Sequence, residues 1–148
     1  MTPSELRAAL VVRLLPASPA VVYDEWLDPE ALSDWMCPRP ARVTNIDLEP
    51  TVGGTLRIDV EENGTRFVVT CRYLELVRPR RLRFTWSCST WPDPNFESLV
   101  TVTLEPHGDG ETLMRIEHAL LPDHLIDQHQ SGWTQIADQL AAEVVVGS

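Results

Sequence analysis

Two histidines carry most of the chemistry this chain could perform. His118 falls in phase with Met114 and Ile116 in an alternating apolar run, so its imidazole is expected to point inward. There it would hold a ligand carbonyl or move a proton. The plainer alternative is a satisfied histidine at the end of a cavity, bonded to a helix side chain. His129 lies one helical turn from both Leu125 and Trp133, and the two histidines are expected to approach each other where that helix meets the strands. With no third ligand at a suitable spacing they do not make a metal site, and no metal or other cofactor is expected. Gly132, beside Trp133, costs a helix about 1 kcal/mol relative to alanine, which points to close approach of the helix backbone to a neighbouring element.

The rest of the chemical inventory is sparse. The chain has no Gly-x-Ser-x-Gly elbow, phosphate loop or dinucleotide fingerprint. Cys37, Cys71 and Cys88 are odd in number and lack metal spacing. The acids at Glu61-Glu62 and Asp109-x-Glu111 flank turns and read as solvated. No catalytic set emerges; His118, paired with Tyr73, is the candidate for an acid–base couple. Whether Tyr73 faces inward is open, because the start of its strand favours Phe67 and Val69 inward whereas its end favours Leu74 and Leu76. A bulge would reconcile the two. Trp91 sits in the proline-bearing loop Ser89 to Asn95, as a lid over a cavity mouth or as part of a subunit contact.

These side chains must be positioned by a scaffold that the patterning describes. Pro122 to Val146 repeats Leu125, His129, Trp133, Ile136 or Ala137, Leu140 and Val144 at steps of three and four, a helix roughly 35 Å long. Pro122 and Asp123 open it, and Gly147 stands where a C-cap glycine would. Leu6 to Leu15 reads as a first strand. Ser18-Pro19 and Asp28-Pro29 then start two short helices, Pro19 to Leu27 and Pro29 to Trp35. From Ala41 the period changes to two. Strands are expected around Val43 to Leu48, Leu56 to Val60, Thr65 to Val77, Leu82 to Cys88, Val100 to Leu104 and Met114 to Leu120. Asn63-Gly64 marks the sharpest hairpin, and 106–111 a further turn. This is α+β with one antiparallel sheet, whose apolar face only the long helix can cover.

Bulk properties bound the function. A chain of 148 residues, 43% hydrophobic and 23% charged, is expected to form a single globular domain over 1–148. The net charge of −10 argues against nucleic acid and against an anionic membrane surface. All 12 basic residues are arginine, a bias of coding composition more than of binding. The opening MTPSELRAALVVRLLP lacks the basic start and long apolar core of a signal peptide, and no run reaches the roughly 18 apolar residues of a membrane span. A reduced, cytoplasmic protein is expected.

Ser18 to Trp35, reading S-P-A-x-V-Y-x-E-W-L-D-P-E-A-L-x-x-W, resembles the SRPBCC, or START-like, superfamily. Within it the chain is similar to the C-terminal domain of the activator of heat-shock-protein-90 ATPase, though not to that protein's additional N-terminal domain. Supporting segments are Gly53-Gly54, Tyr73-Leu74-Glu75-Leu76 with Pro79 and Arg81-Leu82, Phe84-Thr85-Trp86, Val100-Thr101-Val102, Gly108-Asp109-Gly110 before Thr112, and His129-x-x-Gly132-Trp133. The resemblance implies a helix-grip (START-like, Bet v-like) fold, a curved antiparallel sheet around a long C-terminal helix with a cavity between them. Relatives in that superfamily include binders of lipids and other hydrophobes, aromatic polyketide cyclases, a self-sacrificing resistance protein and the co-chaperone domain itself.

The expected function is binding of a small hydrophobic, aromatic-containing molecule. The expected site is Trp35, Ile58, Phe67, Phe84, Trp86, Val102, Met114, His118, His129 and Trp133. A cyclase or hydrolase using His118 as base is the enzymatic alternative. A co-chaperone-like interaction module, with the mixed-charge segment Arg78 to Arg83 as its surface, is another. Leu99 and Trp91 leave a homodimer open.

Overall fold

A computed structural model describes residues 8–147. The expected strand start at Leu6, and the opening segment around it, lie outside the described residues. Strand β1 (Ala9–Leu15) stops at Pro16, and helices α1 (Pro19–Trp26) and α2 (Pro29–Trp35) follow. Both helices begin as their caps dictate. Ser18 Oγ accepts from the Val21 amide, Asp28 Oδ1 accepts from the Glu30 amide at 3.0 Å, and a proline occupies the first turn of each. Helices this short depend on packing, and they bury Val22, Tyr23 and Trp26 from α1 and Leu32 and Trp35 from α2.

Six strands follow: β2 (Arg42–Leu48), β3 (Thr55–Glu62), β4 (Thr65–Val77), β5 (Arg81–Cys88), β6 (Ser98–His107) and β7 (Glu111–Ala119). They form one seven-stranded sheet in the order β1-β7-β6-β5-β4-β3-β2, every neighbouring pair antiparallel. Hairpin succession builds six strands, and β1 completes the sheet beside β7. Asn63 and Gly64 both take positive φ, 53° and 82°, as a tight two-residue hairpin turn demands. The turn expected at 106–111 is tighter than its composition suggests, because β6 continues through Pro106 to His107.

The ambiguity in β4 resolves as a bulge at Leu74. Tyr73 pairs with Phe84 and Glu75 with Arg83, so one residue is skipped. Val69, Cys71 and Tyr73 face the core before the bulge, and Leu74 is 41% exposed. The expectation that Leu74 points inward is thus corrected. The Gly53-Gly54 turn supports this register: the Gly53 amide donates to the Tyr73 carbonyl and the Tyr73 amide to the Gly54 carbonyl, both at 2.9 Å.

Helix α3 (Asp123–Gly147) runs through Gly147, so that glycine ends the helix as its last turn and not as a separate cap. Its apolar face divides in two. Leu140 and Val144 are buried in the core, whereas Leu125 and His129, nearer the start, are half-buried. Polar side chains fasten the helix at both sides. The Gln130 amide group bonds both the N–H and the C=O of Leu10, covering part of the free edge of β1. Gln139 Nε2 donates to the carbonyls of Trp35 and Cys37, at 2.9 and 2.8 Å, and so holds the irregular 36–40 segment against α3. Among the described residues no helix is long and apolar enough to cross a membrane.

Two loop substitutions test this architecture. At Gly54 a Cβ would lie 2.5 Å from the Glu49 carbonyl oxygen, so Gly54→Ala is expected to cost about 2 kcal/mol in urea unfolding. Leu120 is 65% exposed at φ 64°, a conformation that penalises a side chain. Leu120→Gly is expected to leave stability unchanged or raise it by up to about 1 kcal/mol.

Candidate functional site: a cavity between sheet and helix

Between the first half of α3, the inner faces of β3, β4 and β5, the 36–41 segment and the loop after β5 lies a cavity of about 490 Å³. Its wall is largely aromatic and aliphatic: Phe67, Trp86, Trp91 and Trp133, with Ile58, Val69 and Ile136. Glu62, Thr90, His124 and Gln128 are exposed polar residues on its solvent side. An apolar enclosure of this size with few polar groups is the common form of a small-molecule site.

Five of the ten residues named from the sequence line this space: Ile58, Phe67, Trp86, His129 and Trp133. The other five do not. Trp35, Phe84, Val102, Met114 and His118 are at most 1% exposed and belong to the close-packed core. Trp35 packs edge-on against Trp26 at 4.8 Å, and Phe84 lies between Trp26 and Tyr73, at 6.3 and 6.2 Å. Alternation predicts which side chains face inward, and these five do. It carries no information on which part of the inner layer is filled and which is left open.

The remaining wall residues divide between irregular segments and regular elements, chiefly α3. Met36, Cys37, Pro38 and Ala41 enter because Gln139 holds their loop against α3. The loop after β5 is folded back by Ser87 Oγ donating to the Pro94 carbonyl at 2.7 Å and Ser89 Oγ accepting from the Val68 amide at 2.9 Å. This brings Trp91 to the cavity, where its ring meets Phe96 at 5.9 Å and His129 at 6.2 Å. Trp91 thus forms part of the cavity wall.

At one end of the cavity a buried hydrogen-bond chain joins α3 to three strands. Trp133 Nε1–H donates to His118 Nδ1 at 3.0 Å. Since an indole nitrogen only donates, Nδ1 must be bare and the proton of His118 must sit on Nε2. Nε2–H then donates to Ser98 Oγ at 2.7 Å, and the Ser98 hydroxyl donates to the Trp86 carbonyl at 2.8 Å. His118 is 0% exposed with both nitrogens engaged. Burial, reinforced by the neighbouring His129, drives its pKa down to about 2. His118 is therefore a neutral structural link with no position free for a ligand or a substrate proton. The proposed couple with Tyr73 fails on distance as well. β7 and β4 are separated by β6 and β5, about 14 Å across three strand spacings. The Tyr73 hydroxyl is buried without a partner among the described residues, and burial pushes its pKa up.

His129 behaves differently. Its ring lies 5.1 Å from that of His118, at 85°, the approach the spacing implied. Nδ1 donates to the Leu125 carbonyl at 2.9 Å; a carbonyl can only accept, so here the proton is on Nδ1. Burial lowers the His129 pKa, partly offset by that bond. The adjacent rings are thus fixed in opposite tautomers. Cys37 and Cys88 also line the wall, and burial pushes the Cys37 thiol up to about 12. All three cysteines are free. Among the described residues no three His, Cys, Asp or Glu side chains gather as a metal centre would require.

A seven-stranded antiparallel sheet wrapped on a long C-terminal helix, with two short helices after the first strand, is the helix-grip architecture of the SRPBCC class. Within that class the chain belongs to the family of Activator of Hsp90 ATPase homolog 1-like proteins, whose model matches residues 16–144. Among solved structures it is similar to the AHSA1 (SPO3351) protein of Silicibacter pomeroyi, with TM-score 0.83, 25% identity, and coverage of 96% of this chain and all 100% of that one. It is also similar to protein CV1439 of Chromobacterium violaceum, with TM-score 0.79, 29% identity, and coverage of 92% and 96%. DynU16, a protein of the dynemicin biosynthetic locus, shares the fold at 20% identity and TM-score 0.74; the match covers 95% of this chain and 48% of that one. No curated protein matches the chain.

The tautomers and the burial of His118 make two predictions. Nitrogen-15 imidazole spectra should show His118 protonated on Nε2 and His129 on Nδ1; the same tautomer for both would contradict the bonding described. An unfolded histidine titrates near 6.5, whereas folded His118 stays neutral to about 2. Below 6.5 the unfolded chain binds a proton that the folded chain refuses, so stability falls as pH drops through that window, by about 1.4 kcal/mol per unit. Urea unfolding at about pH 5 is expected to give about 2 kcal/mol less than at pH 7.5, with His129 adding in the same direction. His118→Phe should be less stable at pH 7.5 yet lose less on acidification.

Proposed function

We propose that this protein binds a small, largely apolar, aromatic-containing molecule in the cavity between its sheet and α3. The observation that carries the reading is Gly132. It stands mid-helix, where glycine costs about 1 kcal/mol relative to alanine, and close approach does not require it. An added Cβ would meet only Pro38 Cγ, at an ordinary 3.6 Å. Gly132 instead lines the cavity, so the stability it forgoes keeps the space open. The aromatic wall, Trp91 included, adds stacking surface for an occupant. His118, sealed and neutral, supports no base chemistry, so the reading is a binding domain. Three free thiols fit a reducing compartment, and we place this single START-like domain in the cytoplasm.

Substitution at Gly132 separates stability from binding. Gly132→Ala is expected to raise unfolding stability by up to about 1 kcal/mol. Gly132→Leu, checked for native circular dichroism, should fill the space and weaken binding of the neutral fluorescent probe N-phenyl-1-naphthylamine at least about tenfold, the cost of losing roughly 1.4 kcal/mol of contact. Equal binding by wild type and Gly132→Leu, or none by wild type, would overturn the proposal.

A further inference from the structure

Among the aromatic side chains of the cavity wall, His129 offers an acceptor nitrogen that the fold leaves unpaired. His129 is half-buried in the wall, and its Nδ1–H is committed to the Leu125 carbonyl. In the neutral ring Nε2 is then a bare acceptor, and no donor among the described residues bonds to it. The ring cannot simply turn to satisfy it. It stands edge to face against His118 at 5.1 Å and against Trp91 at 6.2 Å, and rotation would strand Nδ1. His118 cannot help, because its own proton points to Ser98. The other polar side chains of the wall are the exposed Glu62, Thr90, His124 and Gln128 and the indole N–H donors of Trp86 and Trp91, so His129 Nε2 is the acceptor set among the aromatic side chains, while Cys37 and Cys88 are only weak donors.

Resting on the binding function proposed above, we propose that Nε2 of His129 is the polar anchor of the site and selects a planar apolar molecule that presents a hydroxyl donor. A bare imidazole nitrogen attracts an O–H and repels the lone pairs of a carboxylate or phosphate. The Glu62 carboxylate in the wall, and a chain carrying a net charge of −10, disfavour anions further. The preferred ligand is therefore a neutral hydroxylated aromatic, its body among Phe67, Trp86 and Trp133 and its hydroxyl on His129.

Calorimetric titration with 2-naphthol, 2-methylnaphthalene and 2-naphthoate, on wild type and His129→Phe, tests this. The ratio of 2-naphthol to 2-methylnaphthalene affinity should be about fivefold higher in wild type than in His129→Phe, the size of one hydrogen bond, and 2-naphthoate should bind wild type more weakly than 2-naphthol. Should His129→Phe fail to fold, wild type alone decides. The nitrogen-15 resonance of His129 Nε2 should then shift with 2-naphthol and stay in place with 2-methylnaphthalene. Binding of the naphthalenes with no such coupling and no such shift overturns the anchor while leaving the cavity reading intact. Equal binding of 2-naphthoate also overturns the anchor. Binding of none of the three overturns both.

Discussion

The arrangement of this molecule depends on one buried run of hydrogen bonds, from the Trp133 indole through His118 and Ser98 to the Trp86 carbonyl. It ties α3 to β7, β6 and β5 at a single depth. Because the indole can only donate and the carbonyl can only accept, every proton along the run has one allowed place. Each bond contributes about 1 kcal/mol net, but breaking one inside the core leaves a desolvated group and costs more. The run therefore adds a directional constraint on the height and rotation of the helix to the apolar packing of Trp133, Ile136, Leu140 and Val144.

Everything at the cavity follows from that fixed point. Leu140 and Val144, beyond Trp133, fall into the close-packed core, while Leu125 and His129, before it, stand over the open part of the inner face. The sheet curves away from a straight helix, and the 36–41 segment, held by Gln139, and the loop after β5 line the remaining gap. The two adjacent histidines show how one residue type divides its work. His118 spends both nitrogens on the fold, and His129 spends one and keeps one. Their difference lies in what each ring touches, an indole in one case and a carbonyl in the other.

Much of the scaffold was legible in the sequence because its signals are local. Proline-and-cap pairs at Ser18-Pro19 and Asp28-Pro29 start the short helices, and α2 and β4 have the bounds read from pattern alone. The bulge at Leu74 could be inferred from conflicting alternation but not positioned, since its place is set by pairing with Arg83 and Phe84. Of the residues expected at the site, half line the cavity. Trp35, Phe84, Val102, Met114 and His118 face inward as alternation requires, yet the core fills around them. Met36 to Pro38 and Trp91 belong to irregular segments, and long-range bonds to Gln139, Pro94 and Val68 place them. The strand phase of His118 and the helical spacing of His129 predicted their meeting. They could not predict which nitrogen of each would be free.

The central claim is that the space beneath α3 is a binding site and not a packing defect. Native mass spectrometry of freshly purified protein, compared with its denatured mass, tests that claim most directly. The account predicts a discrete additional mass, lost on denaturation, or its appearance one-to-one on adding a neutral hydroxylated aromatic. A bare mass that no such molecule shifts would contradict it.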